Sequence, residues 1–206
     1  MYIIWVEKMY NNQMLRFEKS YTLEKVTKTI PVSNYYKDYV DFTITEKSCK
    51  ICDQYNNNWS CPPFEDDIIK VWKKYANIDL ILLKLNYNDF ITENKFSKGD
   101  IDIILNITLY NEKRKILQEL HKKVMNPEEP DDAMILSTGY CNLCNKCTRI
   151  DNKPCRYPKN KLYSMESLGA LVSKTTEEIF DTEILWINKD EGKIPSYLTL
   201  LMGLLY

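Results

Sequence analysis

This 206-residue chain has few glycines and histidines and lacks the motifs of several common enzyme classes. It has five glycines, and no Walker loop, dinucleotide fingerprint or Gly-x-Ser-x-Gly elbow is present. Its one histidine, His121, lies between Leu120 and Lys122 on a predicted helix, far in sequence from any cysteine. We therefore expect His121 to be a packing or surface residue, neither a metal ligand nor a catalytic base.

Charge balance and hydropathy exclude further classes. With 28 basic and 29 acidic residues, the chain lacks the excess positive charge of a nucleic-acid-binding protein. No stretch reaches the roughly 18 to 20 apolar residues that cross a bilayer, and the apolar tail Tyr197–Tyr206 is predicted to be a buried strand. Residues 1–10 lack the basic region and small-residue cleavage site of a signal peptide. We expect a cytoplasmic protein that binds neither nucleic acid nor membrane.

Length and periodicity favour one α/β domain spanning residues 1–206, with α+β as the alternative. Residues 1–48 are predicted to be mixed and mostly extended. Apolar patterns predict strands at Val40–Thr45, Leu80–Tyr87, Asp132–Thr138, Glu183–Asn188 and Ser196–Tyr206. They predict helices following Cys61 as far as Tyr75, over Asp100–Met125 with an end at Asn126–Pro127, from Ser164 through Val172, and from Thr175 or Thr176. Such alternation predicts a mixed sheet with helices packed on it.

Seven cysteines fall in two groups, and every one lies in a spacing that metal sites use. One group lies in residues 49–63, the first cysteine loop, and the other in residues 139–161, the second cysteine loop. The members are Cys49, Cys52 and Cys61 in the first loop, and Cys141, Cys144, Cys147 and Cys155 in the second. An odd number of cysteines without an export signal disfavours a disulfide scaffold and leaves thiolates available for metal.

The second group favours iron–sulfur over zinc. Two consecutive two-residue gaps place three thiolates around a small volume, which suits three corners of a [4Fe-4S] cluster. Zinc more often takes two separated cysteine pairs. We expect one or two [4Fe-4S] clusters, with zinc as the alternative. The grouping of ligands stays open: the simplest partition keeps all four cysteines of the second loop together, but Cys155, or Cys61 with its following Pro62, could serve the other site.

Three functions are compatible with these cysteines. The first is an iron–sulfur protein with an electron-transfer or redox role, for which a redox partner protein is the candidate partner. The second is a structural or regulatory zinc protein. The third is an enzyme that uses an open iron, because a cluster held only by Cys49, Cys52 and Cys61 would lack a fourth protein ligand. The residues carry no signal for an oligomeric state or for a particular substrate.

Basic residues surround the second group, with Asp151 as the single acid among them. The bases are Lys146, Arg149, Lys153, Arg156, Lys159 and Lys161. We rank compensation of an anionic metal site first, docking of an acidic partner such as a ferredoxin second, and chance third. Glu166 follows this stretch, and we expect it to cap its own helix or occupy the first turn rather than reach the metal site.

Several short motifs, taken in order, resemble a known family. They are Cys49-x-x-Cys52, Trp59-Ser-Cys-Pro-Pro63, the triple Cys141 to Cys147, Pro154-Cys-Arg-Tyr-Pro158, and Ser164-Met-Glu166 ahead of Gly169. The chain is similar, over about residues 45 to 206, to DUF2284, a family of predicted metal-binding proteins. The resemblance implies that all seven cysteines belong to metal motifs and that the protein is a small cytoplasmic one of prokaryotes. Tyr140 stands where the pattern has proline, and the family leaves the activity open.

Overall fold

The computed structural model describes residues 16–64, 67–125 and 133–206 and confirms the predicted α/β class. The strands are β1 (Tyr21–Pro31), β2 (Asn77–Tyr87), β3 (Met134–Ser137), β4 (Tyr163–Ser164) and β5 (Tyr197–Leu205). They form one sheet in the order β1-β2-β5-β3-β4. The sheet is mixed, because β3 runs parallel to β4 and antiparallel to β5. The signal-peptide expectation concerns residues outside the described ranges.

Helices flank these strands along the chain. The α-helices with both ends described are α1 (Val32–Tyr39), α2 (Phe42–Lys50), α3 (Asp89–Thr92), α4 (Lys98–Ile107), α5 (Leu109–Val124) and α6 (Val172–Phe180). Short 3₁₀ helices occupy Ile68–Lys73, Thr148–Asp151, Pro158–Asn160 and Glu166–Leu168. Within the described ranges, no helix combines the length and the apolar character that a bilayer crossing requires.

The chain divides into two compact units. One comprises residues 16–26, Leu83–Gln118 and Ile184–Leu200, and the other comprises Thr27–Leu82, Glu119–Glu183 and Leu201–Tyr206. Both cysteine loops belong to the second of these units. That residues 1–206 form a single domain remains a prediction.

The unit that carries the cysteines has a continuous apolar core. Tyr35, Leu80, Met165 and Leu168 are all fully buried in it. The indole of Trp72 donates a hydrogen bond to the Leu168 carbonyl (2.8 Å), so a polar tip inside this core is satisfied. This core anchors the 3₁₀ helix Glu166–Leu168, which lies close to the first cysteine loop's helix α2.

The predicted strand Val40–Thr45 is wrong. Val40 makes only an isolated bridge with Ala170, and helix α2 begins at Phe42. The Asp41 carboxylate accepts a hydrogen bond from the Ile44 N–H (3.0 Å) and so caps the helix start, outweighing the strand-like alternation. The expectation of mostly extended structure in residues 1–48 also fails for α1 and α2.

The predicted helix Asp100–Met125 is two helices, α4 and α5, separated at Thr108. Thr108 is fully buried, and its hydroxyl donates to the Ile104 carbonyl (2.7 Å) and pairs with the Tyr87 hydroxyl (2.8 Å). A threonine hydroxyl that donates to the carbonyl four residues earlier competes with the backbone hydrogen bonds of the helix, and the helix breaks at Thr108. The predicted end at Asn126–Pro127 lies outside the described residues.

Two further predictions near the chain end are corrected. The helix predicted from Ser164 through Val172 is instead strand β4 and a 3₁₀ helix, because Gly169 has φ +89° and ends any helix there. Helix α6 therefore starts at Val172, ahead of the predicted Thr175. No strand covers Glu183–Asn188.

The remaining predictions agree with the structure in part or in full. Strands Leu80–Tyr87 and Ser196–Tyr206 are confirmed as β2 and β5, and the described part of Asp132–Thr138 as β3. The helix predicted after Cys61 is reduced to the 3₁₀ helix Ile68–Lys73.

Candidate metal centre

The first cysteine loop starts inside helix α2 and closes on itself. Cys49 lies in the last turn of that helix, and the Cys52 N–H donates to the Cys49 carbonyl (3.0 Å). Asn56, with a left-handed φ of 57°, reverses the chain, and its N–H donates to the Pro62 carbonyl (2.9 Å). The loop thereby returns Cys61 toward the two cysteines at its start.

The second cysteine loop contains its own reversal. After the 3₁₀ helix Thr148–Asp151, Asn152 adopts a left-handed φ of 52°. The Lys153 N–H then donates to the Thr148 carbonyl (3.0 Å), and the Thr148 hydroxyl donates to the Pro154 carbonyl (2.9 Å). This turn brings Cys155 back toward the three cysteines that precede it.

One pocket, the four-cysteine pocket, is lined by every cysteine of the second loop. Its lining residues are Cys141, Cys144, Cys147, Cys155, Asn58, Trp59, Leu143, Thr148, Arg156, Tyr157 and Lys161. The Trp59 N–H points at the Cys147 sulfur (3.4 Å). Four sulfur donors therefore share one space with two cationic side chains and a backbone N–H, and both kinds of group stabilise thiolate charge.

Asn58 and Ser60 of the first loop hold the backbone of the second loop at Cys141. The Asn58 amide donates to the Cys141 carbonyl (2.9 Å), and the Cys141 N–H donates to the Ser60 hydroxyl oxygen (2.9 Å). The Ser60 hydroxyl in turn donates to the Asn58 side-chain oxygen (2.9 Å). Because both polar side chains are buried and bonded to each other, they fix where Cys141 enters the pocket.

Arg149 also joins the two loops. Its side chain is 7% exposed, and its guanidinium donates to the carbonyls of Asn58 (2.9 Å), Cys61 (2.5 Å) and Pro63. It also lies 5.0 Å from the centre of the Trp59 ring. Arg149 is one of the cations expected to compensate a metal site, but its guanidinium is directed at backbone carbonyls of the first loop.

Burial and neighbouring thiols raise the pKa of two cysteines in the first loop. Burial raises the pKa of the Cys61 thiol to about 11, with further increases from Cys52 and Cys49. Burial also raises the pKa of Cys49, with contributions from Cys52, Glu166 and Glu46. Since a metal binds the thiolate, metal binding here must displace protons, and affinity will depend on pH.

The structure divides the seven predicted site residues into two sets. Four line the four-cysteine pocket, and the other three, Cys49, Cys52 and Cys61, form a separate group that we call the three-cysteine group. The simplest partition drawn from the sequence assigns the same four cysteines to one metal site, and that assignment stays a prediction. All seven are free thiols, and across the described ranges no three His, Cys, Asp or Glu side chains are arranged to hold a metal ion. Metal ligation by these residues remains a prediction.

The residues that connect the two loops were not predicted from the sequence. Asn58, Ser60 and Arg149 bind mainly backbone groups, so no spacing or periodicity marks them. The one available signal was their position inside the cysteine motifs themselves.

Comparison with known proteins finds a family match. The family model DUF2284, described as a predicted metal-binding protein, matches residues 37–202. No curated protein and no solved structure matches the chain.

Proposed function

The chain belongs to the DUF2284 family of predicted metal-binding proteins, and from that membership we propose that it carries electrons through a [4Fe-4S] cluster in the four-cysteine pocket. The observation that supports this most directly is the shared lining of that pocket by Cys141, Cys144, Cys147 and Cys155. A cluster with four thiolate ligands has every iron protected by protein, which suits electron transfer better than substrate chemistry.

The residues around the pocket fit an anionic cluster. Arg156 and Lys161 supply positive charge, and the Trp59 N–H supplies a hydrogen bond to the Cys147 sulfur. Charge and hydrogen bonds at the sulfurs are the protein's means of setting a cluster's reduction potential. A bound cluster would supply a one-electron redox couple. The four cysteines would hold it, and the side chains that line the pocket around them would exclude water.

The second cysteine loop suits an acidic redox partner protein. Leu143 and Tyr157, which line the pocket, are 44% and 51% exposed, and Tyr140 and Ile150 on the same loop are 48% and 50% exposed. Basic residues lie among them in the sequence. Apolar side chains mixed with cations provide both contact area and electrostatic steering. Electrons would pass one at a time between the cluster and the partner's own redox centre.

Metal analysis of oxygen-free protein tests the proposal. We expect brown protein with about four irons and four sulfides for each cluster. Cys155→Ala should remove the cluster of the four-cysteine pocket, whereas Tyr157→Phe, which keeps the ring beside the same pocket, should leave iron content unchanged. Electron paramagnetic resonance after reduction reports whether the cluster is redox-active.

Other outcomes would replace this function. Colourless protein holding tightly bound zinc would favour a structural or regulatory zinc site. A full cluster content that Cys155→Ala does not change would mean that the four-cysteine pocket is not the cluster site. Electron transfer to an acidic carrier that is insensitive to salt would exclude the docking face described above.

A further inference from the structure

Strand β1 lies at one end of the sheet and is exposed over almost its whole length. In the part of the chain that the structure describes, the sheet order is β1-β2-β5-β3-β4, so β1 has β2 as its one neighbouring strand. Residues 22–29 of β1 are all exposed. An end strand directs a row of backbone N–H and C=O groups away from its neighbour, and such a row can bond another strand.

Both faces of β1 present apolar side chains to solvent. Leu23 (40% exposed) and Val26 (43% exposed) lie on opposite faces, because successive side chains alternate along a strand. The strand at the other end of the described sheet, β4, has two residues, whereas β1 has 11. Proteins usually keep an edge strand short, so an edge of this length is suited to pairing with a further strand.

The charges on β1 restrict how two copies of it can pair. Antiparallel strands place directly opposite residues on the same face of the sheet, so a two-fold symmetric pair has one residue opposite its own copy. With Glu24, Lys25 or Lys28 in that position, like charges meet at the axis. With Val26 there, Glu24 lies opposite Lys28 on both sides of the axis, and Lys25 lies opposite Thr27.

This register also gives the longest overlap, because Val26 is the middle residue of Tyr21–Pro31. The pairing that brings opposite charges together is therefore the one that uses the whole strand. Its remaining opposite pairs are Leu23 with Thr29, Thr22 with Ile30, and Tyr21 with Pro31.

Glu24 and Lys28 already have partners that hold their side chains near the strand. The Glu24 carboxylate accepts a hydrogen bond from the Asn86 amide (2.6 Å), and the Lys28 ammonium donates to the Ile179 carbonyl. A carboxylate accepts more than one hydrogen bond and an ammonium has three donors, so each group can also bind its counterpart in a second copy. Directly opposite residues have Cβ atoms about 4.5–5.5 Å apart, which a Glu–Lys pair spans.

We propose that β1 pairs antiparallel with β1 of a second copy of this chain, with Val26 at the two-fold axis. Backbone groups form about ten hydrogen bonds between the copies over the full overlap. The two copies contribute identical surfaces, so two Glu24–Lys28 pairs form, one on each side of the axis. This pairing is independent of the metal that the cysteines bind and of the proposed function.

The oligomeric state of the reduced full-length chain tests this pairing. Sedimentation equilibrium over a range of chain concentrations should show a monomer–dimer equilibrium. Glu24→Lys and Lys28→Glu each turn both attractive pairs into repulsive ones and should raise the dissociation constant of the dimer about tenfold or more. The double variant Glu24→Lys/Lys28→Glu restores opposite charges and should dimerise like the wild type. Glu18→Lys, at an exposed position outside β1, makes the same charge change as Glu24→Lys and should have no effect.

Amide hydrogen exchange gives a second measurement, which needs no variant. Protection of the Tyr21–Pro31 amides should rise with chain concentration as the dimer forms. Circular dichroism checks that each variant is folded.

Three results would overturn the pairing. The first is a wild-type chain that stays monomeric at every concentration. The second is a dimer that neither single variant weakens, because another surface would then hold the copies together. The third is a dimer that both single variants weaken and the double variant does not restore, because Glu24 and Lys28 would then not lie opposite each other.

Discussion

Arg149 donates three hydrogen bonds from the second cysteine loop to carbonyls of the first loop while almost fully buried. Replacing it with methionine keeps much of the side-chain volume and removes every donor. The carbonyls of Cys61 and Pro63 then lose a charged partner, whereas the Asn58 carbonyl still accepts a bond from the Cys61 N–H (3.0 Å). The substitution therefore separates the contribution of the guanidinium from that of simple packing.

The size of the effect follows from these bonds. A hydrogen bond to a charged group contributes about 1.5–3 kcal/mol, and contact with the Trp59 ring adds about 0.5–2 kcal/mol. Such contributions are not additive, but a buried acceptor that loses its partner costs about 1–3 kcal/mol, and the Cys61 and Pro63 carbonyls both lose theirs. We expect Arg149→Met to lower the free energy of unfolding by about 4 kcal/mol. Arg149→Lys should lose about 2 kcal/mol, because one ammonium cannot reproduce the planar fork.

Urea unfolding of the metal-free, reduced protein, followed by circular dichroism, measures these differences. Arg156→Met is the matched control, since Arg156 is exposed and its guanidinium makes one bond to the Lys146 carbonyl (2.9 Å). The control should stay within about 1 kcal/mol of the wild type. If Arg149→Met also stays within that range, the cross-loop bonds do not stabilise the fold as argued here.

Three further results are expected. Burial raises the pKa of Tyr87 to about 12, so its stabilising contribution is complete below pH 10 and is lost between pH 10 and 12. In Tyr87→Phe, the free energy of urea unfolding should therefore fall by about 3 kcal/mol less over this pH range than in the wild type. An unchanged fall would contradict this. Gly169→Ala combines φ +89° with a clash against Phe42 and should cost about 2–3 kcal/mol in the same assay, whereas Gly139→Ala, with φ +65° and open space, should cost about 1 kcal/mol; equal losses would exclude the clash. Chelation of bound metal should speed protease cleavage within both cysteine loops more than elsewhere, and uniform cleavage would indicate that metal does not order them.

Apolar runs predicted the strands whose side chains are buried. Strand β2 is almost wholly buried, and its run of leucines and isoleucines identifies it without any tertiary information. Strand β1 agrees with the mostly extended structure predicted for residues 1–48, but its bounds were not predicted because nearly all of its residues are exposed. The break at Thr108 depends on the Tyr87 hydroxyl, 21 residues away, so no local pattern could locate it.

The candidate site divides in the same way. Cysteine spacing singled out seven candidate donors, and four of them line one pocket. That these cysteines bind a metal stays a prediction. The roles of Asn58 and Arg149 could not be predicted from the sequence, because both side chains bind backbone carbonyls, which every residue has.

The bonds between the two cysteine loops join residues 81 to 94 positions apart in the chain. During synthesis, the first loop therefore emerges before any of the residues of the second loop that form hydrogen bonds with it. A metal held in the four-cysteine pocket, as proposed, would therefore be fully ligated only after Cys155 has also emerged.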